Sequence, residues 1–375
     1  MLTGLKKMIP FINLRKQYQT IREEILHVTD LVLSGGILMN GPYTASFEEQ
    51  LSKRIGHDHV ICVHSGSQAL EMIAQYHKYQ NDTFSPDNEL TVLVPALTYP
   101  ATINAWMRAG WNVVIGDVDT RGNLDLKKIS NKQDFNAICI VGLYGHPVWD
   151  QWTLNGMQDS DWLRYKILVE DAAQHWLAED QITLPIMKAI SFDPMKNLAN
   201  YGNGGAIATY DSESANWFRS YRENGKPDWS VDGTNSRMSE VDSAQMIVKL
   251  KYLDGWQERR QVIAEYYLER FSHYEDIRCL INDTAVHQHG LQKFVIDLDQ
   301  RDQVFEDLKN SGIECKVHYG RPLHEEALYS DWPNPGALSV ASMLSRRVLS
   351  LPFYPELTDS EIEYIADKVI EHATN

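Results

Sequence analysis

The chain has few cysteines, a deficit of basic residues and no long apolar run. Its 375 residues include four cysteines, Cys62, Cys139, Cys279 and Cys315, and none of them forms a Cys-x-x-Cys pair. This spacing indicates reduced thiols rather than a disulfide framework or a zinc motif. Lysine and arginine number 35 against 51 aspartates and glutamates, a formal net charge of −16. Such a surface repels phosphate backbones and anionic lipids, so we expect no nucleic-acid or membrane partner.

The longest uncharged segment, residues 90–107, is a poor candidate for a membrane-spanning helix. It contains Pro95, Pro100 and several polar residues, which interrupt or weaken an apolar helix. The first residues carry two lysines but only short apolar runs, so we see no secretory signal peptide. We expect a soluble cytoplasmic protein.

Two amphipathic helices are predicted near the start, at residues 14–33 and 42–55. Short apolar segments then alternate with helical ones. The predicted strands are 60–63, 91–95, 112–118, 137–143, 167–170, 189–192 and 206–210, and the helices between them include 67–78, 101–109 and 124–129. Several strands are apolar on successive residues, as strands buried on both faces are. Alternation of this kind predicts an α/β fold with a mostly parallel sheet and crossover helices.

A different pattern follows residue 212. Residues 239–271 predict a long helical region with a break near Gly255, and a smaller α+β region comes after it. In that region we predict strands at 294–298 and 314–318, helices at 302–311 and 359–372, and a capping pattern from Thr358 to Glu361. The polar segment 81–88 predicts a surface loop. We expect an N-terminal helical segment (1–35), a large domain (36–240) and a long helix with a small C-terminal domain (241–375).

The segment after the first predicted strand is a candidate phosphate site. His64-Ser65-Gly66-Ser67 is a turn of small residues between a strand and a helix, and free amides at a helix start suit a phosphate. A tight turn with a serine N-cap explains the same pattern. The segment lacks the Gly-Lys-Ser/Thr of a Walker loop, and Gly202-Asn203-Gly204-Gly205 precedes a strand, which excludes a dinucleotide fingerprint.

Chemically active side chains also follow two later strands. Asp171 directly follows the strand predicted at 167–170, where a carboxylate either needs a cationic partner or caps the next helix. Lys196 lies a short turn beyond the strand predicted at 189–192, where it is either a solvated surface lysine or an amine able to form a Schiff base. Tyr99 follows the strand at 91–95. A phosphate cradle, an aromatic ring, a carboxylate and a lysine together are what pyridoxal phosphate needs.

The chain resembles the DegT/StrS-type nucleotide-sugar aminotransferases, which are fold type I pyridoxal-phosphate enzymes. The matching blocks, in family order, are IPFINLRKQY, GPYTASFEEQLSKRIG, VHSGSQAL, VPALTYPATINA, GLYGHPVWD, VEDAAQHW, SFDPMKNLANYGNGGAIAT, GTNSRMSEVDSAQ, VHYGRPLHEEALY and LSLPFYPELT. The resemblance covers almost the whole chain, and its lysine and Glu-Asp-Ala-Ala-Gln blocks are the most specific. It implies a large domain with a seven-stranded, mostly parallel sheet between helices, plus the smaller C-terminal domain.

The resemblance also implies roles for individual residues. Lys196 corresponds to the Schiff-base lysine, Asp171 to the residue that contacts the pyridine nitrogen, and Gln174 to a neighbour of the cofactor's phenolic oxygen. The residues implied in stacking on the cofactor or holding its phosphate are Tyr99, Gly66, Ser67 and Ser191, with Asn235 reaching the phosphate in a neighbouring subunit. The role of Asn235 implies a homodimer in which the two subunits share their active sites.

The implied reaction transfers an amino group from L-glutamate to a nucleotide-linked keto-6-deoxysugar. The Lys-Asn-Leu…Tyr-Gly-x-Gly-Gly pattern favours amination at C3 over C4, whereas Asp193 stands where the family has His or Tyr. Asn203 is a second departure, at a position where Asp or Glu is common. Residues expected on the substrate side are Asp193, His318, Tyr319 and His324.

Two other functions stay open at this point. Dehydration of the sugar is performed by relatives that replace the lysine with His, whereas this chain has Lys196. A non-catalytic scaffold or regulator is expected to have lost that lysine or Asp171. The histidine pairs at 57 and 59 and at 287 and 289 lack further ligands at suitable spacing, so we expect no metal site.

Overall fold

The computed structural model describes residues 8–84, 89–129, 135–149, 166–180, 184–281, 286–334 and 336–374. A seven-stranded sheet lies at its centre, in the order β1-β7-β6-β5-β4-β2-β3. The strands are β1 His59–Val63, β2 Thr91–Pro95, β3 Asn112–Gly116, β4 Ala137–Val141, β5 Ile167–Asp171, β6 Met187–Ser191 and β7 Gly205–Thr209. Strand β7 runs opposite to the other six strands of this sheet, so it pairs antiparallel with β1 and β6, and the remaining pairs are parallel. The predicted α/β class and the seven-stranded, mostly parallel sheet are confirmed.

Helices cover the sheet because its strands are apolar on both faces. All five residues of β4 are buried, as are four of five in β1 and β2. The helices of this part are α1 Leu14–Gly35, α2 Pro42–Ile55, α3 Gly66–Phe84, α4 Ala101–Arg108 and α5 Ser212–Tyr221. Both α1 and α2 end at a glycine in the left-handed region, Gly36 with φ 74° and Gly56 with φ 68°, a conformation that glycine adopts without a steric penalty.

A buried carboxylate fixes the start of α2. Glu240 is fully buried, and its two oxygens accept the N–H groups of Gly41, Tyr43 and Thr44 at 2.8–3.0 Å. These are amides that the first turn of a helix leaves without an intrahelical partner. A negative charge at this end is also stabilised by the helix dipole. Glu240 is itself the first residue of the helix α6 (Glu240–Leu250), so one residue ties two helices together.

The long helical region is two helices, α6 Glu240–Leu250 and α7 Leu253–Phe271. The predicted break is present, but it lies at Lys251 and Tyr252, shortly before Gly255, which is in the first turn of α7. At the break the N–H of Lys251 bonds to the carbonyl of Val248 and that of Tyr252 to Lys249, at 3.2 and 3.0 Å. Bonds to the third preceding residue tighten the last turn and end the helix.

A second, three-stranded antiparallel sheet lies in the C-terminal part, in the order β10-β9-β8. Its strands are β8 Arg278–Cys279, β9 Phe294–Asp297 and β10 Val348–Leu351, and its helices are α8 Arg301–Asn310, α9 Ser339–Arg347 and α10 Asp359–Ala373. The strand predicted at 314–318 was wrong. Ile313 bridges to Ile9 whereas Lys316 bridges to Ser350, so the segment has two different partners and forms no continuous ladder. Sequence patterns had not indicated α9 or β10.

Some predicted boundaries also change. The helix predicted at 124–129 is only a 3₁₀ turn, Leu126–Lys128, because Leu124 bridges back to Val118. The loop predicted at 81–88 begins as helix, since α3 continues to Phe84, and residues 85–88 lie outside the described residues. The predicted capping box is present, with Thr358 Oγ1 accepting the Glu361 amide at 3.2 Å. The domain boundaries stay predictions.

Within the described residues, no helix combines the length and the apolar character needed to cross a bilayer.

Candidate active site

A cavity of about 390 Å³ lies at the carboxyl ends of β5 and β6, beside the start of α3. Ligands gather at this edge in open α/β sheets. The predicted site residues that line it are Gly66, Ser67, Tyr99, Asp171, Gln174, Ser191, Asp193, Lys196, His318 and Tyr319, together with Asn203. Two predicted residues lie outside this lining. Asn235 is exposed, and His324 Nε2 lies 3.0 Å from Ser342 Oγ.

The start of α3 is pressed against the neighbouring strands. A Cβ added to Gly66 would lie 2.7 Å from Ser191 Cβ, and one added to Gly205 would lie 2.4 Å from the carbonyl carbon of Ser65. Both positions therefore require glycine. The close approach places the first-turn amides of Gly66 and Ser67, which have no intrahelical acceptor, at the cavity wall next to Ser191.

Asp171 is held from the neighbouring helix. Its Oδ2 accepts the hydroxyl hydrogen of Thr102 at 2.7 Å, and its Oδ1 accepts the Ala173 amide at 3.2 Å. The Thr102 hydroxyl is fully buried and lies 3.0 Å from Thr98 Oγ1. Sequence reasoning missed both threonines, although they are four residues apart in the block that carries Tyr99.

The turn that carries Lys196 is ordered by Asp193. The Asp193 side chain accepts the Met195 amide at 2.9 Å, and its carbonyl accepts the Lys196 amide at 2.8 Å. Lys196 is half-buried and borders the cavity. Burial lowers the pKa of its amine, and the nearby carboxylates of Asp171 and Asp193 oppose that shift without cancelling it.

Gln174 joins the large sheet to the C-terminal part. Its Oε1 accepts the Tyr144 amide at 2.9 Å, and its Nε2 donates to the Tyr319 hydroxyl at 3.3 Å. Tyr144 has φ 63°, an uncommon backbone conformation for a residue other than glycine. Its hydroxyl donates to the carbonyl of His318. The ring of Tyr99 lies 6.2 Å from that of Tyr319, so the two tyrosines stand together at the cavity.

A second lysine, Lys293, lines the same cavity and was not predicted. Its amide donates to the carbonyl of Tyr144 at 3.0 Å, and its Nζ donates to Oε1 of Gln292 at 2.5 Å and to Oε1 of Gln174 at 3.5 Å. Burial, and then the nearby amine of Lys196, lower its pKa well below the usual lysine value. The only signal in the sequence was a lysine directly before the apolar strand β9.

Glu170, next to Asp171 in β5, points to the opposite face of the sheet. It is fully buried and bonds to Trp149 Nε1 at 2.5 Å, Lys188 Nζ at 2.8 Å and His175 Nε2 at 3.2 Å. Burial alone would raise its pKa, but Lys188 and His175 lower it to about 2. A separate cavity of about 510 Å³ beside Lys188 belongs to this face.

The two histidine pairs do not converge on a common point. His57 stacks on Tyr210 with 4.2 Å between ring centroids, whereas His59 Nε2 lies 2.9 Å from Ser212 Oγ. His287 contacts Gln261. Among the described residues, no group of three or more His, Cys, Asp or Glu side chains is arranged to hold a metal ion.

The family model of the DegT/DnrJ/EryC1/StrS aminotransferases matches residues 19–370. The chain belongs to this aminotransferase family. One similar member is the dTDP-3-amino-3,4,6-trideoxy-alpha-D-glucose transaminase of Streptomyces venezuelae, 31% identical over 97% of this chain and 96% of the relative. Another is the dTDP-3-amino-3,6-dideoxy-alpha-D-galactopyranose transaminase of Aneurinibacillus thermoaerophilus, 31% identical over 96% of this chain and 99% of the relative.

Solved structures of this family have the same fold. The crystal structure of S. venezuelae DesV, in complex with a ketimine intermediate, superposes with a TM-score of 0.88 at 29% identity and covers 99% of this chain and 100% of that chain. DegT-family aminotransferases use pyridoxal phosphate. The predicted family resemblance and the predicted class of enzyme are confirmed.

Proposed function

We propose that this chain binds pyridoxal phosphate and transfers an amino group from L-glutamate to a nucleotide-linked keto-6-deoxysugar, with C3 favoured over C4. The observation that carries the proposal is that Lys196, Asp171 and the Gly66 turn line one cavity. These three come from separate segments of the chain, and each provides one group that the cofactor requires.

The residues of the cavity fit the cofactor. The amides of Gly66 and Ser67, with the Ser191 hydroxyl, would hold its phosphate at the start of α3. Asp171 would accept a hydrogen bond from the N–H of the protonated pyridine ring, and Tyr99 would face the ring. Gln174 has one Nε2 hydrogen directed to Tyr319 and a second one that is suited to the phenolic oxygen.

When bound, pyridoxal phosphate supplies an aldehyde that carries the amino group and a ring that accepts the electrons left by proton removal. Lys196 provides the amine that binds the aldehyde. Because burial lowers the pKa of this amine, more of it is unprotonated near neutral pH than of an ordinary lysine. The same amine would then remove a proton from the α-carbon of the amino donor and deliver one to the carbon that carried the cofactor's aldehyde oxygen, as a general base and then acid.

The nature of the substrates is inferred from relatives and from the lysine block. The two transaminases described above are named for 3-amino sugars carried on dTDP. The Lys-Asn-Leu pattern after Met195 also favours amination at C3. Asp193 favours neither carbon, because family members that aminate C4 or C3 often have His or Tyr at this position. The presence of Lys196 and Asp171 supports transamination over sugar dehydration and over a non-catalytic scaffold.

A homodimer with shared sites is part of the proposal. Exposed apolar side chains at Leu33, Ile37 and Leu38 lie on the segment that bridges, through Met39, to Ser239. Asn40 bonds to Glu223, which itself bridges to Asn235. The apolar surface is therefore continuous with the segment that carries Asn235, as expected if a second copy covers both. We place this dimer in the cytoplasm.

The test begins with the pyridoxamine-phosphate form of the protein and a panel of dTDP-, UDP- and GDP-linked 3-keto and 4-keto sugars. The proposal expects one of them to reoxidise the cofactor and to acquire an amino group, identified by mass spectrometry and NMR. Lys196→Ala is the control: it should bind the cofactor without visible Schiff-base absorbance and lose transamination by orders of magnitude. Near-normal turnover by Lys196→Ala, without added amine, would contradict the role of Lys196 in the proposed transamination.

A further inference from the structure

Lys293 is the cationic residue of the cavity to which the proposed reaction gives no role. It lies immediately before β9, about a hundred residues beyond Lys196 in sequence, and only 7% of its surface is exposed. Its backbone is anchored to the carbonyl of Tyr144, whose amide in turn bonds to Gln174. The side chain is therefore fixed beside residues that we assign to the cofactor.

No anion bonds directly to this amine within the described residues, and the charge of Asp193 opposes the lowering of the pKa of Lys293 by burial without cancelling it. In the part of the chain that the structure describes, the polar partners of Nζ are neutral amide oxygens, those of Gln292 and Gln174. An ammonium group has three hydrogens to donate, and a buried charge without an opposite charge is unfavourable. The amine of Lys196 shares the cavity and adds repulsion.

The acidic residues of the cavity have other contacts. Asp171 accepts from Thr102 and Ala173, and the side chain of Asp193 accepts from Met195. Among the described residues, neither forms an ion pair or a hydrogen bond with Lys293, although the charge of Asp193 partly offsets the effect of burial on its pKa. A ligand that brings its own negative oxygen would therefore complete the environment of this amine, and a charge-assisted hydrogen bond is strong where water is excluded.

We propose that Lys293 is a specificity-determining residue that binds a carboxylate of the reacting small molecule. The carboxylate belongs either to the amino donor or to an acidic sugar on the nucleotide, and the inference rests on the proposed function in either case. We assign the phosphate oxygens of the cofactor to the Gly66 turn and Ser191, so they do not require Lys293 as a partner.

Lys293→Met tests this assignment because methionine has a similar length and no charge. Binding to the pyridoxal-phosphate form is measured by calorimetry with glutarate, UDP-glucuronate and UDP-glucose. We expect about 10- to 100-fold weaker binding of one carboxylate probe and unchanged binding of UDP-glucose. Loss confined to glutarate identifies the donor as the source, and loss confined to UDP-glucuronate identifies the sugar. Unchanged binding of both, or equal loss of UDP-glucose, overturns the proposal.

A matched control is Lys249→Met, since Lys249 is also buried but bonds to the carbonyl of Ala199 away from the cavity lining. It should bind every probe as the wild type does. If Lys293→Met fails to fold, the wild type still decides: it must prefer glutarate to the neutral glutaramide, or UDP-glucuronate to UDP-glucose. The absence of any such preference overturns the proposal. If the wild type with pyridoxal phosphate shows no Schiff-base absorbance, the proposed function itself is contradicted, which separates that failure from a failure of the Lys293 assignment.

Discussion

The hydroxyl of Thr102 donates a 2.7 Å hydrogen bond to Oδ2 of Asp171, and the threonine is fully buried. The bond joins the second residue of α4 to the last residue of β5. It fixes the orientation of a carboxylate that we assign to the pyridine nitrogen. Thr102 is therefore a positioning residue that acts through Asp171.

Thr102→Val should slow proton removal from the amino donor by roughly tenfold or more, because a hydrogen bond to a charged group contributes about 1.5–3 kcal/mol. The measurement is exchange of the donor's α-proton at equal cofactor content. Thr102→Ser retains the hydroxyl and should exchange at close to the wild-type rate. We expect the change in kcat, with little change in donor KM. Equal rates in the valine and serine variants would contradict the assigned role.

Asp193 provides a test based on pH. Its negative charge raises the pKa of Lys196, against the larger effect of burial. Asp193→Asn removes the charge, and the amide oxygen can still accept the Met195 amide. The pKa of Lys196 should therefore fall further, and the pH midpoint of Schiff-base formation by the apoprotein should move down by up to about one unit.

The absorbance that appears on adding pyridoxal phosphate across a pH series measures this midpoint. The wild type should itself have a midpoint below the ordinary lysine value of about 10.4. Asp193→Ala removes both the charge and the turn, so we expect a lower yield of bound cofactor as well. An unchanged or higher midpoint in Asp193→Asn would show that the two groups do not interact.

Lys188→Met should destabilise the protein strongly because it leaves Glu170 buried without its lysine partner. Removal of one member of a buried ion pair costs about 3–5 kcal/mol, measured as the free energy of unfolding in denaturant. Lys53→Met is the control, since Lys53 pairs with Glu49 at the surface, and should leave stability nearly unchanged. Adding Glu170→Gln to Lys188→Met should restore part of the loss.

The same pair predicts the response to acid. The folded-state pKa of Glu170, about 2, lies below the ordinary value of 4.5. Its stabilising contribution is therefore present above the unfolded-state value and is lost as the pH falls through the folded-state value. Without Lys188 the depression is smaller, so the acid-unfolding midpoint of Lys188→Met should lie at higher pH than that of the wild type. A midpoint at the same pH would contradict the pairing.

Asn235 should act across the dimer interface, in the active site of the partner subunit. Lys196→Ala and Asn235→Ala homodimers then both have defective sites. A heterodimer of the two places both lesions in one site and leaves the other intact, so mixing should restore up to about half of the wild-type activity per heterodimer. Activity is measured at limiting cofactor after subunit exchange, confirmed with an affinity tag. If mixing restores nothing, Asn235 serves its own subunit.

Much of the candidate site followed from the sequence because of one property of parallel sheets. Asp171 and Lys196 stand at the carboxyl ends of neighbouring strands, and strands that run in the same direction bring these ends to one edge. The Gly66 turn reaches the same edge because β1 and β6 both run antiparallel to β7, which lies between them, and therefore run in the same direction. Apolar strands and small turn residues were therefore enough to place these three together.

Other parts of the structure depend on contacts between distant segments. Thr102 and Lys293 resemble ordinary helix and strand residues in the sequence, and only packing brings one to Asp171 and the other to Gln174. The segment at 314–318 has a strand-like pattern, yet its backbone hydrogen bonds go to two different partners, Ile9 at Glu314 and Ser350 at Lys316. Local patterns thus determined the seven strands of the large sheet, the Gly66 turn and the reactive positions Asp171 and Lys196. Tertiary packing alone decided their partners, because hydrogen bonds and burial across long sequence distances leave no periodic signal in the chain.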